Sequence, residues 1–451
     1  MERYELTQDL ARDILKKAQS KGAGASEIVM AEGDSFFVTV RMGDVEKISQ
    51  ARSKRLGLRL FFGKSSATAS TSDISKSSIE RLIDDTAAMA RATARDEFSG
   101  LPDPAQLAGD VPELDLLDEA AYSTAVDEKI ALARAAESNA LEFDPRIANS
   151  EGGEFSNDFH RMVYANSEGF CGEYQGSVFG LSVAAVARLN GSMQRDYWYS
   201  SQRKFARLEE PRLIGEKAAR RALRRLGARK VKTCEVPVVF DPEVSAGLLR
   251  SLAGALSGYS LYKGASFLIG KIDTRTASAQ VTLIDDGTIR TALGSKPFDG
   301  EGVATSKKVI VENGVLRSYL LDSYSGRKLG FPSTGNAARS VGEPPSVAPT
   351  NFYLTPGASA PEEIIKSVAE GFYVTDLIGF GVNLVTGDYS RGASGLWIEK
   401  GELAYPVEEV TIAGNLKEML LGIEMVGNDL ELRNRISAPT IKISRMTVAG
   451  E

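Results

Sequence analysis

A chain of 451 residues has room for two or three domains of about 150 residues each and buries a large core without disulfide or metal staples. With 43% hydrophobic residues, no apolar stretch near 20 residues and a net charge of −6, it reads as neither a membrane-spanning protein nor a globally cationic nucleic-acid binder. One histidine and two cysteines, Cys171 and Cys234, exclude a disulfide framework and any zinc site needing two imidazoles from this chain.

The opening residues are charged throughout and lack the apolar region of a secretory signal, so a cytoplasmic location is expected. Leu6, Leu10, Ile14, Leu15 and Ala18 share a helical face that Gly22 and Gly24 end. Strand-like runs SEIVMAE, SFFVTVRM, LGLRLFFG and ATASTS follow, with turns expected at Gly33-Asp34 and Gly43-Asp44. A second helix is predicted over about 77–95, with Ile79, Leu82, Ile83, Ala87 and Ala90 as its stripe. Three prolines and two glycines within 99–115 mark a domain boundary.

The middle segment starts with a helix near 124–140. Polar, glycine-spaced strands continue to about residue 201, with a hairpin turn at Gly191. PRLIGEKAARRALRRLGARKVK then reads as a helix opened by Pro211 and stopped near Gly227. The last segment begins with a strand at 235–240 and a helix at about 241–260. Beyond it the chain is mostly β, with turns at DDG, ENG, TGD and EKG. The fold class is α+β: an α/β region in two parts, 1–100 and 116–230, then a β-rich, antiparallel, barrel-like domain over 234–451 wrapped around one helix.

Most chemical motifs fail on spacing. GLRLFFGKSS (57–66) has five residues where a phosphate loop needs four, and a strand pattern follows it instead of a helix. GFGVNLVTG (379–387) carries Leu384 where the third glycine of a dinucleotide loop belongs. No G-x-S-x-G elbow occurs, and a hydrolase triad would have to use His160 in the strand-like NDFHRMVY. Residues 203–232 carry nine net positive charges. Arg220, Arg221, Arg224 and Arg225 there could contact nucleic-acid phosphates, but aromatic interleaving is missing, so a solvated or domain-bridging helix is the plainer reading. In 371–416, glycines recur at 379, 381, 387, 392 and 395 among strand-like residues, with Asn383, Thr386, Asp388, Tyr389, Ser390 and Arg391 around a turn. This pattern suits either a bulged hairpin or a groove that accepts an extended peptide by strand addition.

The same segment, NLVTGDYSRGASGLWIEKGELAYPVEEVTIAGNLKEML, followed by VGNDLEL and APTIKISRMTVAG, resembles the TldD/PmbA family on its TldE side, once described as modulators of DNA gyrase. KPFDGEGVATSKKVIVENGVL and RKLGFPSTGNAAR carry the resemblance upstream, and it spans nearly the whole chain. It implies two α/β N-terminal pieces, a large β-rich C-terminal domain, and a protease assembled from two kinds of subunit. The catalytic, TldD-like subunit has a His-Glu-x-x-x-His helix and a later cysteine that together bind zinc. The corresponding helix here is GLLRSLAGALSG (247–258), whose motif positions hold Arg250, Ser251 and Ala255, and the loop at 433–439 has no cysteine. The resemblance therefore implies a subunit that binds no zinc itself, pairs with a TldD-like metallopeptidase (or with a second copy when alone), and walls a groove for an extended peptide. Asn383, Thr386, Asp388, Ser390 and Arg391 are its groove candidates.

Overall fold

The computed structural model describes residues 5–450. Six strands, β1 (Ala25–Arg41), β2 (Asp44–Phe62), β3 (Ser65–Thr71), β4 (Ile147–Asn166), β5 (Cys171–Leu189) and β6 (Ser192–Gln202), form one antiparallel sheet, a half-barrel in the order β3-β2-β1-β4-β5-β6. The strands before and after the Pro-rich stretch at 99–115 thus share a single sheet, joined by the pairing of β1 with β4. No turn forms at Gly33-Asp34. Gly33 sits in the ladder between Ser53 and His160, and a β-carbon there would lie 3.3 Å from Ser53 Oγ. The glycine marks a close approach inside a long strand, whereas Gly43 (φ 85°) and Gly191 (φ 85°) do make hairpin turns.

Alternation along β1 assigns the two faces of the sheet. Ile28 and Met30 meet α1 (Gln8–Ser20) and α2 (Lys76–Ala92), two helices capped by Thr7 and Ser75. Phe36, Val38 and Val40, on the same face, share a second core with α4 (Val126–Leu141) and α5 (Pro211–Leu223); the short α3 (Ala120–Ser123) lies beside it. Pro211 stands in the first turn of α5, where its missing N–H leaves no bond unmade. The opposite face, through Val29 and Tyr164, meets Phe298 and Val341 of the C-terminal domain.

That domain starts with β7 (Cys234–Phe240), α6 (Pro242–Leu256) and α7 (Gly258–Tyr262). The helix expected over 241–260 is broken at Ser257. Gly258 N donates there to Leu320 O (2.8 Å), and a β-carbon on Gly258 would overlap Ser325. A small sheet follows, in the order β10 (Val315–Leu316), β9 (Lys307–Glu312), β8 (Leu283–Asp286), β13 (Phe352–Leu354) and β18 (Ile436–Ser437). Helix α8 (Ser323–Leu329) and the two-stranded pair β11 (Ala337–Ala338) and β12 (Ser346–Val347) fill the connections. After α9 (Pro361–Lys366) come β14 (Glu370–Ile378), β15 (Asp388–Glu399), β16 (Glu402–Asn415), α10 (Leu416–Leu421), β17 (Ile423–Val426) and β19 (Ile441–Ala449). Strands β16-β15-β14-β7-β19 run in that order, and β16 pairs back onto β19, closing a five-stranded barrel that leaves no free edge among its members. Val238, Phe240, Phe372, Val374, Ile412 and Ile443 from the barrel share one core with Leu248, Leu249, Leu252 and Leu256 of α6. The expected α+β class, with a barrel-like C-terminal domain built on one helix, is the observed fold.

Among the contacts that join the half-barrel to the C-terminal domain, two seams differ in kind. In the first, Glu27 is 1% exposed and accepts from Arg339 (2.6 Å), Arg59 (3.3 Å) and the Tyr164 hydroxyl (2.8 Å). The neighbouring guanidinium groups hold its carboxyl below the usual range although burial alone would raise it. Phe170 and Phe298 stack edge to face beside it at 5.1 Å. Glu301 is also buried, and burial followed by the charges of Asp299 and Asp322 pushes it up to about 8.

Candidate functional site

The second seam is open. Between β6 and α5 on one side, and α6, β14 and β15 on the other, lies a trough with two lobes of about 430 and 620 Å³ that share Arg221, Glu243 and Asn434. Helix α6 enters this seam because Asp241 caps it, accepting from Glu243 N (3.2 Å) while the Tyr373 hydroxyl donates to its other oxygen (3.0 Å). Glu243, in the first turn, receives the Tyr199 hydroxyl (2.8 Å); burial raises its carboxyl above the ordinary range.

The basic stretch supplies much of the wall, from the inside. Arg221 is 8% exposed and donates to Asp196 (3.1 Å). Arg225 reaches Ser394 Oγ (3.0 Å) and Asp376 (3.5 Å), and Arg224 is half-buried, with Nε and Nη2 shielded and unpartnered. Only Arg220 of the four is exposed, and it pairs with Glu216 (3.1 Å). The helix is the domain-bridging one of the plainer reading, and the arginine face that would have met a phosphate backbone is turned to protein.

The larger lobe brings two of the sequence-derived candidates together. Arg250 is exposed on α6 and lines it, as does the half-buried Arg391 of β15. Gly247, one helical turn before Arg250, has no side chain to separate them: a β-carbon there would lie 3.9 Å from Arg391 Nη1. Arg391 donates weakly to Leu377 O (3.4 Å), and its buried Nε has no partner. Ser251 donates to Gly247 O (3.3 Å), and Ala255 is fully buried. Arg250, Ser251 and Ala255 thus present a guanidinium, a hydroxyl turned back on its own helix and a methyl group. This donor set does not fit zinc, which is held by imidazole, thiolate or carboxylate. Among the described residues, no three or more His, Cys, Asp or Glu side chains are grouped to hold a metal ion.

The remaining candidates lie outside the lining of both lobes, Asn383 and Thr386 in the loop between β14 and β15 and Asp388 and Ser390 at the start of β15. Asn383 Oδ1 accepts from Val385 N (2.9 Å) and Thr386 N (3.3 Å), the Thr386 hydroxyl donates to Asp388 (2.6 Å), and Asn415 clamps Asp388 (3.2 Å). These residues are exposed but occupied with one another, which makes the loop stiff. Ser390 is exposed on β15, its N–H donating to Gly381 O (2.7 Å). The loop lies across α6: Leu384 reaches Gly254, and Leu384 O accepts from Phe267 N (2.8 Å). It also carries Ile378, Phe380 and Val385 into solvent, with Phe380 fully exposed.

Sequence reasoning passed over Tyr197, Tyr199, Glu243 and Asn434 as site residues. The i, i+2 tyrosines of β6, whose rings stack at 6.2 Å, were the one readable sign. His160 stands outside this trough, under Arg203. Burial and the charges of Arg203 and Arg435 push it down to about 4, and it hydrogen-bonds no serine, cysteine or carboxylate among the described residues, so it forms no triad. Both cysteines are unpaired, and burial raises their thiols.

The chain thus sets a closed C-terminal barrel behind a half-barrel sheet, with an open seam along the barrel's helix. Residues 233–450 match the PmbA/TldA metallopeptidase C-terminal domain, 120–226 its central domain and 26–90 its domain 1. The chain belongs to the PmbA/TldD metallopeptidase family. It is 37% identical to the metalloprotease PmbA of Escherichia coli, over 99% of this chain and 97% of that one, and 37% identical to the PmbA homologue of Haemophilus influenzae, over 96% and 93%. Among solved structures, a protein described as a candidate modulator of DNA gyrase from Bacteroides thetaiotaomicron superposes with a TM-score of 0.92 at 29% identity, covering 99% of this chain and all of the other. TldE from Thermococcus kodakarensis shares the fold at a TM-score of 0.88 and 24% identity, over 97% and 99% of the two chains. No helix among the described residues is long and apolar enough to cross a membrane.

Proposed function

We propose that this chain is the TldE-type subunit of a cytoplasmic zinc metallopeptidase, building one wall of a groove that receives unfolded or ribosomally made peptides. The observation that carries this reading is α6: where the family resemblance places two histidines and a glutamate, the helix holds Arg250, Ser251 and Ala255, and the whole sequence has one histidine. A TldD-like partner supplies the zinc, which activates water for peptide hydrolysis. This chain's residues bind and orient. The trough beside α6 is polar and open, with Arg391 in its lining, and we take the stiff loop carrying Asn383 and Thr386, with Asp388 and Ser390 at the start of β15, as an outer rim beyond that lining. Ile378, Phe380 and Val385 give that rim an apolar lip on which a partner subunit, or a second copy of this chain, docks.

The test is reconstitution. The isolated chain should carry less than one-tenth equivalent of zinc and leave unfolded peptides intact, and a TldD-like subunit should bind it and cleave them. Phe380→Ser should weaken that association at least tenfold in sedimentation velocity while leaving the thermal midpoint within about 1 °C. Stoichiometric zinc with turnover by the isolated chain would refute the reading.

A further inference from the structure

Resting on the peptide-groove reading and deepening it, we propose that the larger lobe of the trough is a carboxylate-binding site, in which Arg250 and Arg391 together grip a carboxylate of the bound peptide. The charged groups around this lobe are five arginines (Arg195, Arg221, Arg225, Arg250 and Arg391) against three acids (Asp196, Glu243 and Asp376). Three of the arginines are committed: Arg195 to Glu151, Arg221 to Asp196, and Arg225 to Asp196, Asp376 and Ser394. Glu243 is taken by the Tyr199 hydroxyl. Arg250 forms no hydrogen bond or ion pair with any described residue, and Arg391 keeps one long bond to a carbonyl and lies against the Tyr389 hydroxyl but pairs with no acid, and its buried Nε has no close acceptor. A buried guanidinium nitrogen without an acceptor is costly, so the site is incomplete as it stands and an acceptor entering the lobe would relieve it.

The geometry favours a planar anion. Bare Gly247 lets Arg391 approach the helix face that carries Arg250, so two forks converge on one opening, and guanidinium forks match carboxylates in bidentate fashion. A lobe of about 620 Å³ holds several residues of an extended chain, and Tyr197 and Tyr199 offer ring faces along its wall. The carboxylate could be the peptide's C-terminus or the side chain of Asp or Glu. Both present the same fork partner, so chemistry at this lobe does not separate them and the experiment must.

The full-length chain is titrated into hexapeptides of Gly, Ala and Ser bearing a neutral N-terminal fluorophore, and anisotropy is read at 50 and 500 mM NaCl. One peptide ends in a free carboxylate, one in an amide, and one in an amide with a single internal Glu. At least one carboxylate peptide should bind tenfold or more tighter than the neutral amide, with the advantage shrinking at high salt. Which one does so names the source. Arg250→Gln and Arg391→Gln should each cut the advantage below threefold. If Arg391→Gln fails to fold, Arg250→Glu, on an exposed helix position, carries the test and should abolish the preference. Equal binding of all three peptides, or an undiminished advantage in the variants, overturns this assignment alone. Absence of binding by every peptide overturns the groove reading with it.

Discussion

The two seams between half-barrel and C-terminal domain are built from the same side chains, arginines, carboxylates and tyrosines, yet they end in opposite states. At the first, both oxygens of Glu27 have partners and aromatic rings pack beside them, and Arg339, whose buried Nε has no acceptor, meets Glu27 through Nη2. At the second, Arg221 and Arg225 are neutralised by Asp196 and Asp376, while Arg250 and Arg391 line an open lobe with no acid paired to them. The first seam fixes how the domains sit, and the second can then afford unfulfilled bonds. A guanidinium that has no acid paired to it and also lines an open trough is the place to look for a ligand.

That contrast can be broken in order of severity. Glu27→Ala leaves Arg339 buried without its counter-ion and should cost about 3–5 kcal/mol in urea unfolding, the heaviest loss. A loss under about 1 kcal/mol would show that the first seam is not what holds the domains. Arg221→Ala, removing a charged hydrogen bond at the base of the second seam, should cost about 2 kcal/mol, whereas Arg220→Ala on the exposed face of the same helix should stay within about 0.5 kcal/mol.

The first seam also has a pH signature. Glu301 binds its proton more tightly folded than unfolded, so its contribution is full below its ordinary range and is lost as pH rises through about 8. The protein should therefore melt lower at pH 9 than at pH 6.5, and Glu301→Gln should flatten that fall. His160 acts in the reverse sense: being held neutral, it costs stability as pH falls from about 6.5 towards 4, and His160→Gln should remove that part of the acid limb. Smallest of all, Arg250→Gln should leave the urea midpoint unchanged within error, since this side chain contributes nothing to the fold. A clear destabilisation would mean that its guanidinium has a structural partner and is not waiting for a ligand.

The helices were largely legible because their apolar stripes and caps are local: Leu10, Ile14 and Ala18 in α1, and Pro211 opening α5, lie where the periodicity put them. Gly33 misled because a glycine demanded by a neighbouring strand looks, in one dimension, like a glycine demanded by a turn. The break at Ser257 was invisible for a related reason, since its cause is Ser325 and Leu320, more than sixty residues away. Of the trough, the sequence showed Arg250 through the family resemblance and Arg391 through its turn. That they face one opening depends on bare Gly247 and on where the barrel carries β15, and no local pattern encodes that meeting. Arg221 and Arg225, in and just after α5, were legible as charge but not as inward-facing charge, because their acids, Asp196 and Asp376, come from other strands.

The insertion of β1 between β2 and β4 has a consequence for the protein's birth. When β1 and β2 have left the ribosome, the apolar row of Phe36, Val38 and Val40 has nothing to cover it, because its neighbours on α4, α5 and β5 have yet to be made. The sheet partner β4 is complete only at Asn166, some 125 residues after Arg41, which at about 5–20 residues per second is roughly 6–25 seconds. For that interval the nascent chain displays a greasy, half-paired ribbon, and chaperone depletion should hurt its yield far more than any loss of thermodynamic stability would suggest.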